Sequence, residues 1–265
     1  MQSLASACLD VLDTADPHGK VMAARRAARD WRLGRLTHIF DATPPDQPAR
    51  PAQPVLLPPN QMPPRKKLGS ERSRIAMLHA LAHIEFVAID LAFDLVARFG
   101  AQFPRAFVDD WMRVGAEEAM HFALLDRRLR TCNSHYGALP AHDGLWEAAR
   151  VTAHDAMARL AIVPMVLEAR ALDITPGTIE RFLSAGDVVS AKMLGRIMSD
   201  EIRHVAAGTK WFGWAANGAG LNPPKHYQNL VIRHFRGTVK PPFNDSARRQ
   251  AGLTTDFYHV LASGG

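Results

Sequence analysis

The feature that most restricts this chain is a repeated set of acids and histidines set inside apolar helical patterns. On a 3.6-residue period, Leu78, Ala82, Glu85, Ile89, Ala92 and Val96 share one face. Glu85 therefore stands in the middle of an apolar stripe. A lone buried carboxylate is costly unless it is paired or bound to metal. Glu168, within IVPMVLEARAL, repeats the anomaly. Glu118-Ala-Met-His121 and Glu201-Ile-Arg-His204 are both Glu-x-x-His, a spacing that puts carboxylate and imidazole on one helix face. The full order is Glu85, 32 residues, Glu118-x-x-His121, 46 residues, Glu168, 32 residues, Glu201-x-x-His204. The two halves carry the same spacing. The repeat extends outward: Asp90 lies five residues after Glu85 and Asp173 five after Glu168, while Glu117 precedes Glu118 and Asp200 precedes Glu201.

One Glu from each of two helices, plus Glu-x-x-His from each of two others, is the ligand set of dinuclear carboxylate bundles. Four carboxylates neutralise two divalent ions, and bridging glutamates can hold such ions about 3.5–4 Å apart. Two histidines complete a nitrogen and oxygen shell suited to iron or manganese. The expected metal ligands are Glu85, Glu118, His121, Glu168, Glu201 and His204, with no catalytic side chain beyond them. The expected cofactor is two iron ions, with a manganese–iron pair as the other composition. One Glu-x-x-His alone is a weak signal. Two of them, with two further apolar-face glutamates at matched spacing, are hard to explain as surface decoration.

The rest of the chain is read around this pattern. Residues 1–70 form an arm: short helices with Arg25, Arg26, Arg29, Arg32 and Arg35 on a solvated side, then residues 41–64, which hold nine of the 18 prolines. Such a stretch is neither helix nor central strand, so it is either loose or wrapped over the middle of the chain. Residues 71–221 read as four long helices. The first is capped by Ser70 or Ser73 and closed by Gly100. The second runs from Pro104 to about Cys132, and residues 133–144 cross over. The third runs from Leu145 to Leu172 with a kink at Pro164. A short helix follows Pro176, Gly186 breaks the chain, and the fourth runs from Asp187 to about Ala216. Four long helices around one core imply an all-α four-helix bundle. Residues 222–265 are expected to be an irregular tail packed on that bundle.

Composition excludes several classes. Cys8 and Cys132 are the only two cysteines, so there is no disulfide framework and a cytoplasmic location is expected. The longest strongly apolar uncharged run, Leu160 to Leu167, is far short of the about 20 residues of a membrane span. The N-terminus has no apolar core of signal-peptide length. The net charge of +6 by itself suggests an acidic partner such as nucleic acid. Segmented, it is +5 over residues 1–75, −3 over 76–221 and +4 over 222–265. That distribution moves the chemistry to the acidic middle and demotes nucleic acid as a partner.

With these residues in view, the chain resembles the ferritin-like di-iron carboxylate superfamily. Asp200-Glu201-Ile-Arg203-His204 is similar to the acidic-Glu-x-Arg-His form of bacterial di-iron monooxygenases. The resemblance implies that Asp200 and Glu117 orient ligand histidines and that Arg203 pairs with a nearby carboxylate. Asp90 and Asp173 are grouped with them as acids just outside the ligand set. The first motif departs from this form, because Met120 stands where the second has Arg203. More closely, AHIEFVAIDLAFD, EEAMHFALL, LEARALDITPG, DEIRHVAAGTKWF and KPPFNDSAR resemble a bacterial ferritin-like family catalogued as domain of unknown function 455, over roughly residues 60–255.

Other polar residues read as structural. His83 lies about 200° around the helix from Glu85 and is expected to pair with Asp90 or Asp94 or to touch the N-terminal arm, with His79 in a similar role. His154 is almost four turns from Glu168, too distant to be a ligand. Arg170 reads as an ion-pair partner, and Trp211, Phe212 and Trp214 as packing. Tyr136, Tyr227 and Tyr258 all lie outside the four helices, so no tyrosine is expected on a core helix beside the metals. The expected function is an O2-activating di-iron oxidoreductase (hydroxylase, oxygenase or oxidase) acting on a small molecule, with an electron-donor protein as a partner and no membrane. The competing readings are a di-iron hydroxylase of a modified tRNA base and iron storage or detoxification.

Overall fold

The computed structural model describes residues 1–65 and 67–262. Lys66, in the proline-rich arm, and residues 263–265, at the end of the expected tail, lie outside the described residues. The chain is predominantly helical and divides into two compact units, residues 1–146 and 147–265. Among the described residues no helix is long and apolar enough to cross a membrane.

In the first unit, α1 (Leu4–Leu12) and α2 (Pro17–Arg32) each begin where a side chain satisfies a free backbone N–H: Ser3 accepts from Ser6, and Asp16 accepts from Gly19 with Pro17 in the first turn. Residues Gln2–Ser3 pair in parallel with Leu36–Thr37 and tie the start of the chain to the end of α2. The helix α3 (Glu71–Phe99) starts on a Ser70 cap and buries nearly its whole circumference. The helix α4 (Arg105–Thr131) follows Pro104 and packs along α3. Gly115 permits that approach, since a Cβ there would lie 2.6 Å from the Phe93 ring. α1 packs on α3, and α2 packs on α4.

The proline-rich arm is strapped down. Ala49 N–H donates to the Leu12 carbonyl, Leu57 N–H to the Ala141 carbonyl, and the Trp146 indole to the Asp46 carbonyl, at 2.8, 2.8 and 3.1 Å. At its centre Arg50 reaches Asp90 on α3, which also pairs with Lys20 of α2. Lys20 and Asp90 are both fully buried, and the Lys20 ammonium and Arg50 guanidinium lie 5.4 and 5.5 Å over the Phe86 ring. Burial pushes Lys20 below and Asp90 above their ordinary values, each toward neutrality. The neighbouring positive charges of Lys20 and Arg50, and their hydrogen bonds, act against that rise at Asp90.

The chain passes into the second unit within α5 (Gly144–Val151), followed by α6 (Ala156–Ile162), α7 (Ala169–Ser184) and α8 (Val188–Gly218). The single third helix expected from Leu145 to Leu172 is instead interrupted. Asp155 caps α6, accepting from Met157 and Ala158. The buried Arg159 fixes the break by donating to the Ala149 carbonyl and Thr152 hydroxyl at 2.7 and 3.1 Å. Pro164 produces a wide π-helical turn over Val163–Glu168. Gly208 of α8 accommodates it, since a Cβ there would lie 2.5 Å from the Pro164 ring.

Pro176 does not start a new short helix, because α7 runs through it. Proline cannot bond the carbonyl four residues back. That carbonyl, of Leu172, accepts instead from the Asn244 side chain at 3.2 Å. Residues 222–262 are likewise not irregular throughout. They form α9 (Pro223–His234), α10 (Asp245–Gln250) and α11 (Thr255–Ala262). Tyr227 of α9 donates to the Met165 carbonyl in the π turn at 3.2 Å. Arg248 of α10 forks onto Asp173 of α7 at 2.6 and 2.8 Å, under the rings of Phe243 and Tyr258.

Candidate metal centre

In the first unit, α3 and α4 present their acids and imidazole to the buried side. Glu85 and Glu118 are 6% and 1% exposed, and His121 is fully buried. His121 Nδ1 lies 3.3 Å from Glu85 Oε2 and 3.3 Å from Glu118 Oε2. Phe86 and Phe122, the chain neighbours of Glu85 and His121, are both buried with ring centroids 5.2 Å apart. In the second unit, α8 buries Glu201 and His204, with His204 Nδ1 3.5 Å from Glu201 Oε1. Glu168 is half-buried at the end of the π turn.

One donor atom from each of Glu85, Glu118, His121 and Glu201 lies within 4.8 Å of the others. This buried cluster can hold a metal ion. It brings together four of the six ligands expected from sequence, and Glu168 and His204 are outside that group of four. The donor set fits a cation. Three carboxylates and an imidazole are hard oxygen and nitrogen ligands, and their spread is close to the about 4.2 Å across a shell of ligands at about 2.1 Å. The electrostatics agree. Burial lowers the basicity of His121, but the hydrogen bonds and charges of Glu118 and Glu85 outweigh it and raise the pKa to about 11. The imidazolium proton thus occupies the role of the cation. It stabilises the metal-free fold fully below the ordinary imidazole value of about 6.5, and that contribution is lost as the pH rises toward about 11.

The acids outside the ligand set have definite partners. Asp200 accepts from Arg203 at 2.5 Å and from Arg196 at 3.1 Å, so Arg203 pairs with a carboxylate on its own helix. Glu117 is half-buried on α4. Asp90 and Asp173, five residues beyond Glu85 and Glu168, do equivalent work in the two units. Asp90 receives Lys20 and Arg50 from the N-terminal segment. Asp173 receives Arg248 and the Asn244 N–H from the C-terminal segment. Each acid anchors a terminal segment on a helix that carries, or adjoins, a glutamate of the repeat. Arg170 donates to the Lys240 and Pro242 carbonyls at 3.0 and 2.9 Å and adds to the second anchor.

The sequence did not suggest Tyr136 as a partner of His83, whose Nδ1 lies 2.9 Å from the Tyr136 hydroxyl. Arg50 of the N-terminal arm also acts on His83 electrostatically, in line with the expected closeness to that arm. His79 Nε2 accepts from Gly137 N–H at 2.9 Å and stacks on Tyr136. Tyr136 also contacts Phe86 and Phe122. It packs on these rings from the crossover loop, not from a core helix. The His-x-x-x-His of 79 and 83 was the available signal. Burial lowers His83 to about 3 and His79 to about 4. Both are neutral in the fold, whereas the unfolded chain protonates them below about pH 6.5. Stability is therefore expected to fall as pH drops from about 6.5 toward about 4, by about 2 kcal/mol per histidine at pH 5 relative to pH 7. Urea unfolding at the two pH values checks this, and His83→Gln should remove about half of the loss.

His154 contacts the His234 ring at 5.7 Å. Trp211 and Phe212 are buried, while Trp214 is half-exposed.

Comparison with known proteins places these features in a wider set. The family model described as "Protein of unknown function (DUF455)" matches residues 13–259. A protein of Haemophilus influenzae described as "Uncharacterized protein" is 41% identical over 212 residues, covering 78% of this chain and 73% of its own length. No solved structure matches.

Proposed function

The chain belongs to the DUF455 family of proteins of unknown function, and from that premise we propose that it is an O2-activating dinuclear-iron oxidoreductase acting on a small molecule. The observation that carries the reading is the buried cluster of Glu85, Glu118, His121 and Glu201. Glu168 and the neighbouring pair His204–Glu201 supply the donors of a second position, in the repeat of the first. On this reading the two helix pairs, α3–α4 and α7–α8, form one ferritin-like four-helix bundle.

Bound iron, or an iron–manganese pair, supplies the one-electron redox steps that O2 activation needs. The chain's own residues do the rest. Glu85, Glu118 and Glu201 neutralise divalent charge in a buried setting. His121 gives up its proton to ligate. The near-complete burial of Glu85, Glu118, His121 and Glu201 limits water at the reacting position. A cytoplasmic protein with an electron-donor partner fits this chemistry.

The test is anaerobic loading with about two equivalents of Fe(II), followed by O2. The reading expects O2 uptake coupled to oxidation of both protein-bound irons, faster than for free Fe(II) in the same buffer. Oxidation at the free-ion rate contradicts it, and uptake of many irons per chain supports storage instead.

A further inference from the structure

A groove of about 960 Å³ lies between α2 and α4, on the outer side of the helix that carries Glu118 and His121. Its charged lining is almost entirely one residue type: Arg25, Arg26, Arg29 and Arg32 from α2, and Arg105 and Arg113 from α4. All of these are exposed. Arg29 and Arg113 have acidic neighbours, Asp30 and Asp110. Among the described residues no ion-pair partner reaches Arg25, Arg26 or Arg32. Asp109 also lines the groove, but it accepts the Trp31 indole N–H at 2.8 Å. The Arg105 guanidinium lies 4.0 Å over the Trp31 ring and is held against the wall.

We propose that this groove binds one strand of nucleic acid through its phosphodiester backbone. The inference does not depend on the metal reading. Three observations favour that occupant. Guanidinium forks bind phosphate bidentately, and six arginines line this one groove. The charges are strung out, not converging. Arg25 to Arg32 spans about 10 Å along α2 and Arg105 to Arg113 about 12 Å along α4, at about 1.5 Å per residue. Each row is long enough to meet about two to three successive phosphates of one strand, whose through-space spacing exceeds the axial rise of about 3.4 Å in a duplex, whereas a single phosphate group requires forks that meet at one point. A concave groove also excludes a flat lipid surface. Trp31 is buried, and the remaining wall is aliphatic, with Met112 and Met120 on α4. The groove therefore offers no aromatic face for a base. Recognition is of the backbone, with little sequence preference.

The experiment is fluorescence anisotropy of a labelled mixed-sequence 20-nucleotide single strand with the full chain. About five neutralised phosphates, at about 0.7 per phosphate, make binding about 100-fold weaker at 200 mM than at 50 mM salt. The variant Arg25→Glu/Arg29→Glu/Arg32→Glu should lose more than tenfold in affinity at 50 mM salt. The charge-matched control Arg233→Glu/Arg236→Glu/Arg249→Glu, exposed in the other unit, should lose less than threefold. Far-UV circular dichroism and metal content of both variants should match the parent, which separates this result from any failure of the metal reading. Equal loss in both variants overturns the proposal, since the effect is then net charge. Absence of binding at 50 mM salt also overturns it. So does equal binding to ADP, to a poly-glutamate peptide or to anionic phosphatidylserine vesicles.

Discussion

Glu118→Ala is expected to lower metal affinity by more than 100-fold, beyond the 10–100-fold that loss of a supporting residue around a metal typically costs. Glu118 is buried, its Oε2 lies 3.3 Å from His121 Nδ1, and it belongs to the four-donor cluster. The same substitution distinguishes a ligand from a structural acid. A buried carboxylate kept for packing or hydrogen bonding destabilises the metal-free protein when removed, by about 1–3 kcal/mol. A carboxylate kept for metal loses metal when removed, even though in the metal-free fold Glu118 also holds the His121 imidazolium and its loss there has a cost. The readouts are metal content by mass spectrometry after dialysis against a weak chelator, and urea unfolding of the chelated protein. Unchanged metal content together with a destabilised metal-free fold contradicts the ligand assignment.

Asp90→Ala is expected to be the most damaging single substitution to stability outside the cluster, at about 3–5 kcal/mol. It strands the fully buried Lys20 ammonium and the partly buried Arg50 without their shared anion. It also releases the proline-rich arm from α3. Asp90→Leu with Lys20→Met removes both charges and fills the space, and should recover most of that loss, because a well-packed apolar pair is often no less stable than a buried ion pair. The midpoint of urea unfolding measures both. If the single and double variants are equally destabilised, Lys20 does not depend on Asp90 for its burial.

The repeat of acids and histidines, four of which the structure gathers into one buried cluster, was legible in the sequence because a glutamate in an apolar stripe is a costly exception, and two matched exceptions need a common cause. The helical character of the chain was legible from the same periodicity. Other elements were set by partners distant in sequence. Pro176 reads as a helix breaker, yet Asn244, which is 68 residues later, supplies the missing donor to the Leu172 carbonyl. The break before Asp155 depends on Arg159 reaching back to Ala149. For the tail, local signals existed and were outweighed by its prolines: Asn222 followed by Pro223 and Pro224 is a helix start, and Asn244 caps α10. Asp90 and Asp173 carried the repeat, but nothing near them announces Lys20, Arg50 or Arg248. Summing charge by segment hid the groove, because its two rows of arginines come from opposite sides of the boundary at residue 75 used for those sums.

The central claim is that the acids and histidines of the repeat are metal ligands. Metal content per chain in protein purified without chelators and reloaded with Fe(II) tests this most directly. The account predicts about two irons per chain, falling to none or one in Glu118→Ala. A chain that retains no metal under any loading condition, with Glu85, Glu118, His121 and Glu201 intact, would contradict it.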